Sequence, residues 1–260
     1  MHTVDTTPVL LIRGLMREQR HWGEFKPLLQ AALPNPVLSL DFAGCGELFQ
    51  QRSPCHISAL RQSVRQQLLV EPQFSGRVHL LAISLGGMLA LDWALSYPQE
   101  VASLTLINSS ARSLSPFYRR LNWRNYPRIV RSLFASAVQR EQMILALTSN
   151  NTAKHSVVLS DWLRWQQLCP VSSTNALRQL WAASRFEITA KPQCPLLFIS
   201  SVQDRLVSPQ CSVDLARHWQ AHHIQHPWAG HDLPLDDAPW LVQRYQQQLR
   251  SFDSAERRFN

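Results

Sequence analysis

Three polar residues stand where apolar runs give out. Ser84 ends "RVHLLAIS" and precedes Gly86 and Gly87; Asp204 follows "CPLLFISS"; His231 lies in "PWAGHDLPL", after "HIQHP". A serine, an acid and a histidine, in that order, can carry out nucleophilic acyl transfer. A serine hydroxyl is a weak nucleophile until a base takes its proton, and histidine can accept that proton and return it to a leaving group. A carboxylate holds the imidazole in the productive tautomer and stabilises the imidazolium. Small residues two before and two after the serine, here Ala82 and Gly86, permit a sharp strand-to-helix turn. That turn aims a helix N-terminus at the developing negative charge. Two backbone donors would complete such a centre. They are the N–H of Leu85, directly after the serine, and that of Leu15 in "RGLMREQRHW", where Gly14 allows a tight turn.

Each residue also has a plainer reading. Ser84 could cap a helix, and Asp204 could serve a turn. Asp232, Asp236 and Asp237 compete for the role of the acid. They rank lower because Asp232 adjoins the histidine and Asp236 or Asp237 suits the cap of a helix starting near Pro239. The chain has ten histidines, and His231 is singled out by a Gly-His step between the last strand and the last helix. His222, His223 and His226 cluster nearby, and Cys45, Cys55 and His56 could be imagined as ligands. The latter spacing matches no zinc pattern, and neither a metal nor a cofactor is expected.

The elements that must position these residues can be read from periodicity. Strands are expected at Val9–Ile12, Pro36–Asp41, Arg77–Ser84, Leu104–Asn108, Cys194–Ser201 and His223–Pro227. Helices are expected at His21–Leu33, around Ile57, Leu60, Val64 and Leu68, at Gly86–Tyr97, at Ser212–Trp219 and at Pro239–Phe252. Strands alternating with helices argue a mostly parallel sheet covered on both faces. From Arg112 to about Ile188 no strand pattern appears. Residues 112–188 therefore read as an inserted helical cap on a core of 1–111 and 189–260. Ligands of open α/β sheets sit beyond the carboxyl ends of the strands, where Arg13, Asp41, Ser84, Asn108, Asp204 and His231 gather.

Composition narrows the partners. With 260 residues, 45% of them hydrophobic, the chain can build a sizeable core. Its five cysteines are scattered and form no C-x-x-C pair, which fits reduced thiols. No apolar run is long enough for a membrane span, the start lacks the layout of a signal peptide, and a cytoplasmic protein is expected. The net charge is +8, yet no nucleic-acid-binding motif is present. The excess is local: Arg112, Arg119, Arg120, Arg124, Arg128, Arg131 and Arg140 span a stretch with no acidic residue. A solvated helix face is the plain explanation; steering of an acidic substrate or carrier protein is the sharper one.

Taken together, the turn around Ser84, the Asp204 loop, the Gly230-His231 loop and "DFAGCGE" resemble the α/β-hydrolase fold, over nearly the whole chain except the cap. The resemblance implies a serine hydrolase that cleaves a carboxylic ester through an acyl-enzyme on Ser84. Serine at position 84 argues against the dehalogenases and epoxide hydrolases of that fold, whose ester forms on an acid. Arg13-Gly14 stands where the family often has His-Gly, and Ala82 where it often has glycine. In size and layout the chain is similar to the esterases that cleave pimeloyl-carrier-protein methyl ester, so an acyl-carrier esterase or thioesterase is a second reading. A non-catalytic ligand-binding or interaction protein on the same scaffold is a third.

Overall fold

The computed structural model describes residues 6–256 apart from position 133. Six strands form one parallel sheet: β1 (Val9–Ile12), β2 (Val37–Ser39), β3 (Val78–Ile83), β4 (Val101–Ile107), β5 (Leu196–Ser201) and β6 (His222–His226). Their order is β2-β1-β3-β4-β5-β6. The helices, in chain order, are α1 (Phe25–Ala32), α2 (Ile57–Leu68), α3 (Leu85–Ser96), α4 (Phe117–Arg120), α5 (Tyr126–Ser132), α6 (Ala137–Thr148), α7 (His155–Leu168), α8 (Ser173–Arg185), α9 (Gln210–Trp219), α10 (Leu233–Asp236) and α11 (Ala238–Glu256). The expected α/β architecture is the one adopted.

Side-chain alternation builds the two layers of core. Leu10, Ile12, Leu80, Ala82, Leu104, Leu106, Leu196 and Phe198 face α2, α3 and α9. Their neighbours Val9, Leu11, Leu81, Ile83, Ile107, Leu197 and Ile199 face α1 and α11. A period of two along each strand produces this partition. Because both faces are covered, β1, β3, β4 and β5 are buried throughout, which is why they read as continuous apolar runs. The strand order reverses direction between β1 and β3, so the loops after these two strands diverge and open a crevice.

Several boundaries differ from the sequence reading. The first helix begins at Phe25 rather than His21, because Gly23 takes φ +50° and sets off a short 3₁₀ turn at Gln19–Trp22. β4 begins at Val101, and β2 is only three residues long. The helix after Ser84 is not amphipathic: nine of its twelve residues are buried. It lies between the sheet and α2, and Val171 and Ala182 of the segment between β4 and β5 join the same core. No helix among the described residues is long and apolar enough to cross a membrane.

The turn after β2 holds a buried carboxylate. Asp41 accepts a hydrogen bond from Gln19 N at 2.7 Å, while its Oδ2 is buried without a partner. Burial, reinforced by the nearby Glu18, pushes its carboxyl from an ordinary 3.8 up to about 7. The native state therefore favours the protonated form. That contribution to stability is fully present below about pH 3.8 and is lost as pH rises through about 7. Asp41→Asn is expected to flatten this loss: urea titrations at pH 5 and pH 8 should differ less for the variant than for the wild type. Equal differences would show that Asp41 is not the group responsible.

Candidate active site

Ser84 and the loop after β1 meet in the crevice. Ser84 holds φ +57° and ψ −119° between β3 and α3, a sparsely populated conformation that costs about 1–3 kcal/mol. Its backbone is held from two sides. Its N–H donates to Ile107 O at 2.9 Å, and its carbonyl accepts from Ser109 Oγ at 2.9 Å and Gly87 N at 3.0 Å. Gly86 is required by close approach: a Cβ there would lie 2.4 Å from Arg13 O and 2.5 Å from Ile12 O. Ala82 is fully buried in the core, so its methyl is accommodated. A Cβ on Gly14 would lie 3.1 Å from Ser84 Cβ, so the β1 loop rests directly on the serine. Gly14–Arg17 form a β-turn, with Arg17 N donating to Gly14 O and Met16 at φ +59°. The N–H groups of Leu15 and Leu85 make no hydrogen bond among the described residues.

Asp204 and His231 are brought together, 27 residues apart in sequence. His231 Nδ1 and Asp204 Oδ2 are 2.7 Å apart, and both side chains are at least nine-tenths buried. Asp204 Oδ1 accepts from Leu206 N and Val207 N at 2.8 and 2.9 Å. The turn role and the histidine contact are thus filled by the same carboxylate, one oxygen each. Ser84 and His231 line one cavity of about 180 Å³, walled mainly by apolar side chains that include Met88, Leu121, Met143, Leu147 and Val207. Ser84 Oγ makes no hydrogen bond among the described residues, a looseness common before substrate is bound.

The rival acids have other work. Asp232 receives two hydrogen bonds from Arg13, Nη1 to Oδ1 at 3.0 Å and Nη2 to Oδ2 at 2.6 Å. Asp236 accepts from Gly230 N at 2.6 Å, Ser149 Oγ at 2.6 Å and Asn150 N at 2.9 Å, tying the histidine loop to the end of α6. Asp237 caps α11 through Trp240 N and meets His226 Nε2. His222 and His223 are engaged by Gln248 and Ser200. Cys45 accepts from Gln179 Nε2, and burial pushes its thiol up to about 12, so it stays a neutral side chain.

Several contacts around the site could not be read from the sequence. Asn108, at φ +47°, donates to His231 O at 2.8 Å and to Ser201 Oγ, and accepts from Ser201 N. It fixes the histidine loop against the end of β5. Its place right after a strand was visible, but its partners were not. Gln179 of α8 accepts from Met16 N, and Arg17 pairs with Glu141 of α6 at 2.8 Å while stacking on Trp162 of α7. His21 packs against Trp162 and Trp165, and burial with Arg17 and Arg13 nearby holds its imidazole well below the usual range. Neutral His21 therefore accepts from Arg17 Nη1 at 3.0 Å. The β1 loop is thus gripped by three helices of the segment between β4 and β5.

Part of the arginine-rich stretch is paired within the chain. Arg112 pairs with Glu187 and Arg119 with Asp214. Arg120 donates to Ser110 Oγ and to the carbonyls of Ala183 and Ser184 at the end of α8, where a helix favours positive charge.

Known proteins share this fold. The sequence is 27% identical over 241 residues to a protein of Klebsiella pneumoniae (strain 342) named "Putative carbamate hydrolase RutD", covering 88% of this chain and 86% of that one. The structure is similar to that of a thermophilic esterase from Thermogutta terrifontis, with a TM-score of 0.77 at 21% identity over 96% of this chain and 92% of that one. It is also similar to the enol-lactonase from Burkholderia xenovorans LB400, with a TM-score of 0.72 at 15% identity over 96% and 92% of the two chains. Residues 9–244 match the Alpha/beta hydrolase family across all six strands, and the chain belongs to that family.

Proposed function

We propose that the protein is a serine hydrolase that cleaves a small carboxylic ester through an acyl-enzyme on Ser84. The observation that carries this reading is the 2.7 Å contact of His231 Nδ1 with Asp204, at the same cavity as a serine on a strained turn. With Nδ1–H donated to the carboxylate, Nε2 carries a lone pair. Ser84 Oγ attacks the acyl carbon and its proton passes to Nε2. The oxyanion is received by the N–H groups of Leu15 and Leu85. Collapse breaks the bond to the alkoxide, which takes the proton from the imidazolium. Water then repeats the sequence on the acyl-enzyme and releases the acid. A cavity of about 180 Å³ lies below the roughly 300–1,000 Å³ of pockets for drug-sized ligands, which favours a small substrate.

The small cavity also favours a second reading, in which the same groups act on the carbonyl of a carbamate, the substrate class in the name of the Klebsiella relative. An acyl-carrier substrate is supported less, because Arg112 and Arg119 are ion-paired at the surface and Arg120 is hydrogen-bonded to the end of α8. Arg124, Arg128 and Arg131, all exposed, are the positions to reverse in testing it.

The deciding experiment is labelling with a fluorophosphonate, mass spectrometry to locate the adduct, and assay on p-nitrophenyl esters of rising acyl length beside a carbamate. Labelling of Ser84, lost in His231→Ala, with activity falling steeply beyond short chains, is the expected result. Turnover of the carbamate alone selects the second reading. No labelling of folded protein overturns the hydrolase mechanism and leaves a ligand-binding role.

A further inference from the structure

We infer that Arg13 is a positioning residue that neutralises Asp232 beside His231 and thereby sets the pH at which the histidine acts as a base. The inference rests on the proposed mechanism and extends it to a residue outside the serine, histidine and acid.

Arg13 directly precedes Gly14, which lies against Ser84, and Asp232 directly follows His231. The two side chains meet in a bidentate pair, each 4% exposed, with the Arg13 guanidinium 4.9 Å from the centre of the Trp22 ring. Both residues line the cavity that holds Ser84 and His231. The backbone around each is already secured. Asp232 N donates to Thr148 O, His231 O accepts from Asn108, and Gly230 N donates to Asp236. On the other side, the β1 loop is held by Gln179 and by the Arg17–Glu141 pair. The contribution that is Arg13's alone is therefore its charge. Without it, a second buried carboxylate would stand next to the histidine, competing with Asp204 and favouring the imidazolium.

The other charged groups around His231 are Asp204 at 2.7 Å, Arg17 and Arg120 on the cavity wall, and Asp236 behind Gly230. None of them changes when the Arg13–Asp232 pair is altered, so the pair can be tested alone. The two single substitutions have opposite signs. Arg13→Gln removes the charge that compensates Asp232, so that wherever the carboxylate stays ionised it makes the imidazolium easier to form. Asp232→Asn leaves Arg13 positive and makes it harder to form.

The test is the second-order rate of Ser84 labelling by a fluorophosphonate, measured from pH 5 to pH 9. Glutamine and asparagine keep hydrogen-bonding capacity at each site, and the double variant, which leaves no lone buried charge, keeps the test readable where a single variant is destabilised. Arg13→Gln is expected to move the acid limb up by about one pH unit, and Asp232→Asn to move it down by a similar amount. The double variant Arg13→Gln/Asp232→Asn should return the limb to its wild-type place. Arg13→Lys, which keeps the charge and loses the fork, should leave both the rate and the limb close to wild type. Slower labelling with an unmoved limb in both single variants, or shifts of the same sign, would overturn the inference. Absence of labelling in the wild type would instead overturn the mechanism on which it rests.

Discussion

Replacing Ser84 by alanine is expected to lower kcat on a short p-nitrophenyl ester by on the order of 10⁶-fold, with the melting temperature almost unchanged. The reasons lie in what the hydroxyl does and does not touch. Ser84 Oγ makes no hydrogen bond among the described residues, so its loss breaks nothing in the resting fold. The backbone contacts to Ile107, Gly87 and Ser109 do not involve the side chain and persist. Alanine has the same difficulty as serine at φ +57°, so strain is conserved. Glycine does not. Ser84→Gly should lose activity equally but gain about 1 kcal/mol in a urea titration, as relief of about 1–3 kcal/mol of strain exceeds the roughly 0.5–1 kcal/mol that glycine costs in chain entropy. A stabilised, inactive glycine variant beside an unshifted, inactive alanine variant would separate the chemical role of the residue from its backbone cost. Full activity in Ser84→Ala would remove the serine from the mechanism.

Asp204→Asn is expected to lower kcat by about 10⁴-fold. The variant keeps an oxygen for Leu206 N and Val207 N, so the turn survives. The amide nitrogen then faces His231 Nδ1 and donates to it, where the carboxylate accepted. The imidazole is driven to the tautomer with its hydrogen on Nε2, which cannot take a proton from serine. Asp232→Asn, by contrast, leaves the tautomer alone and should change kcat at its pH plateau by less than about tenfold. Steady-state rates of the two variants at pH 8 decide the matter. If Asp232→Asn carries the large loss and Asp204→Asn is nearly silent, the acid is Asp232 and Arg13 is its partner within the mechanism.

Much of the fold was legible because the physics that made it is local. A run such as "VHLLAI", short and bounded by turn residues, reads as a strand buried on both faces, and strands alternating with helices admit few topologies. The serine turn was legible for the same reason: Gly86 has no side chain because the backbone carbonyls of Ile12 and Arg13, at the end of β1, come within 2.5 Å of where one would begin. The choice of acid was not local. Asp204, Asp232, Asp236 and Asp237 are equivalent as residue types, and what separates them is which partner the folded chain brings within 3.1 Å: His231, Arg13, Gly230 and Trp240 respectively. The helix boundary at Phe25 was also missed, because Gly23 interrupts a pattern that its neighbours would have continued.

The sequence by itself determined the class of the chain and the points along it where chemistry can reside. Strand period and turn residues are written in neighbouring positions, and the order of serine, acid and histidine is read off the ends of successive strands. Only the tertiary structure decided which charges are paired. Arg13 looked like a departure from the family, yet it meets Asp232 across 219 positions of sequence, and Arg17 meets Glu141 across 124. Such pairs form because a buried charge must find its counter-charge wherever the packing of the sheet and helices brings one, and no spacing rule along the chain encodes that distance.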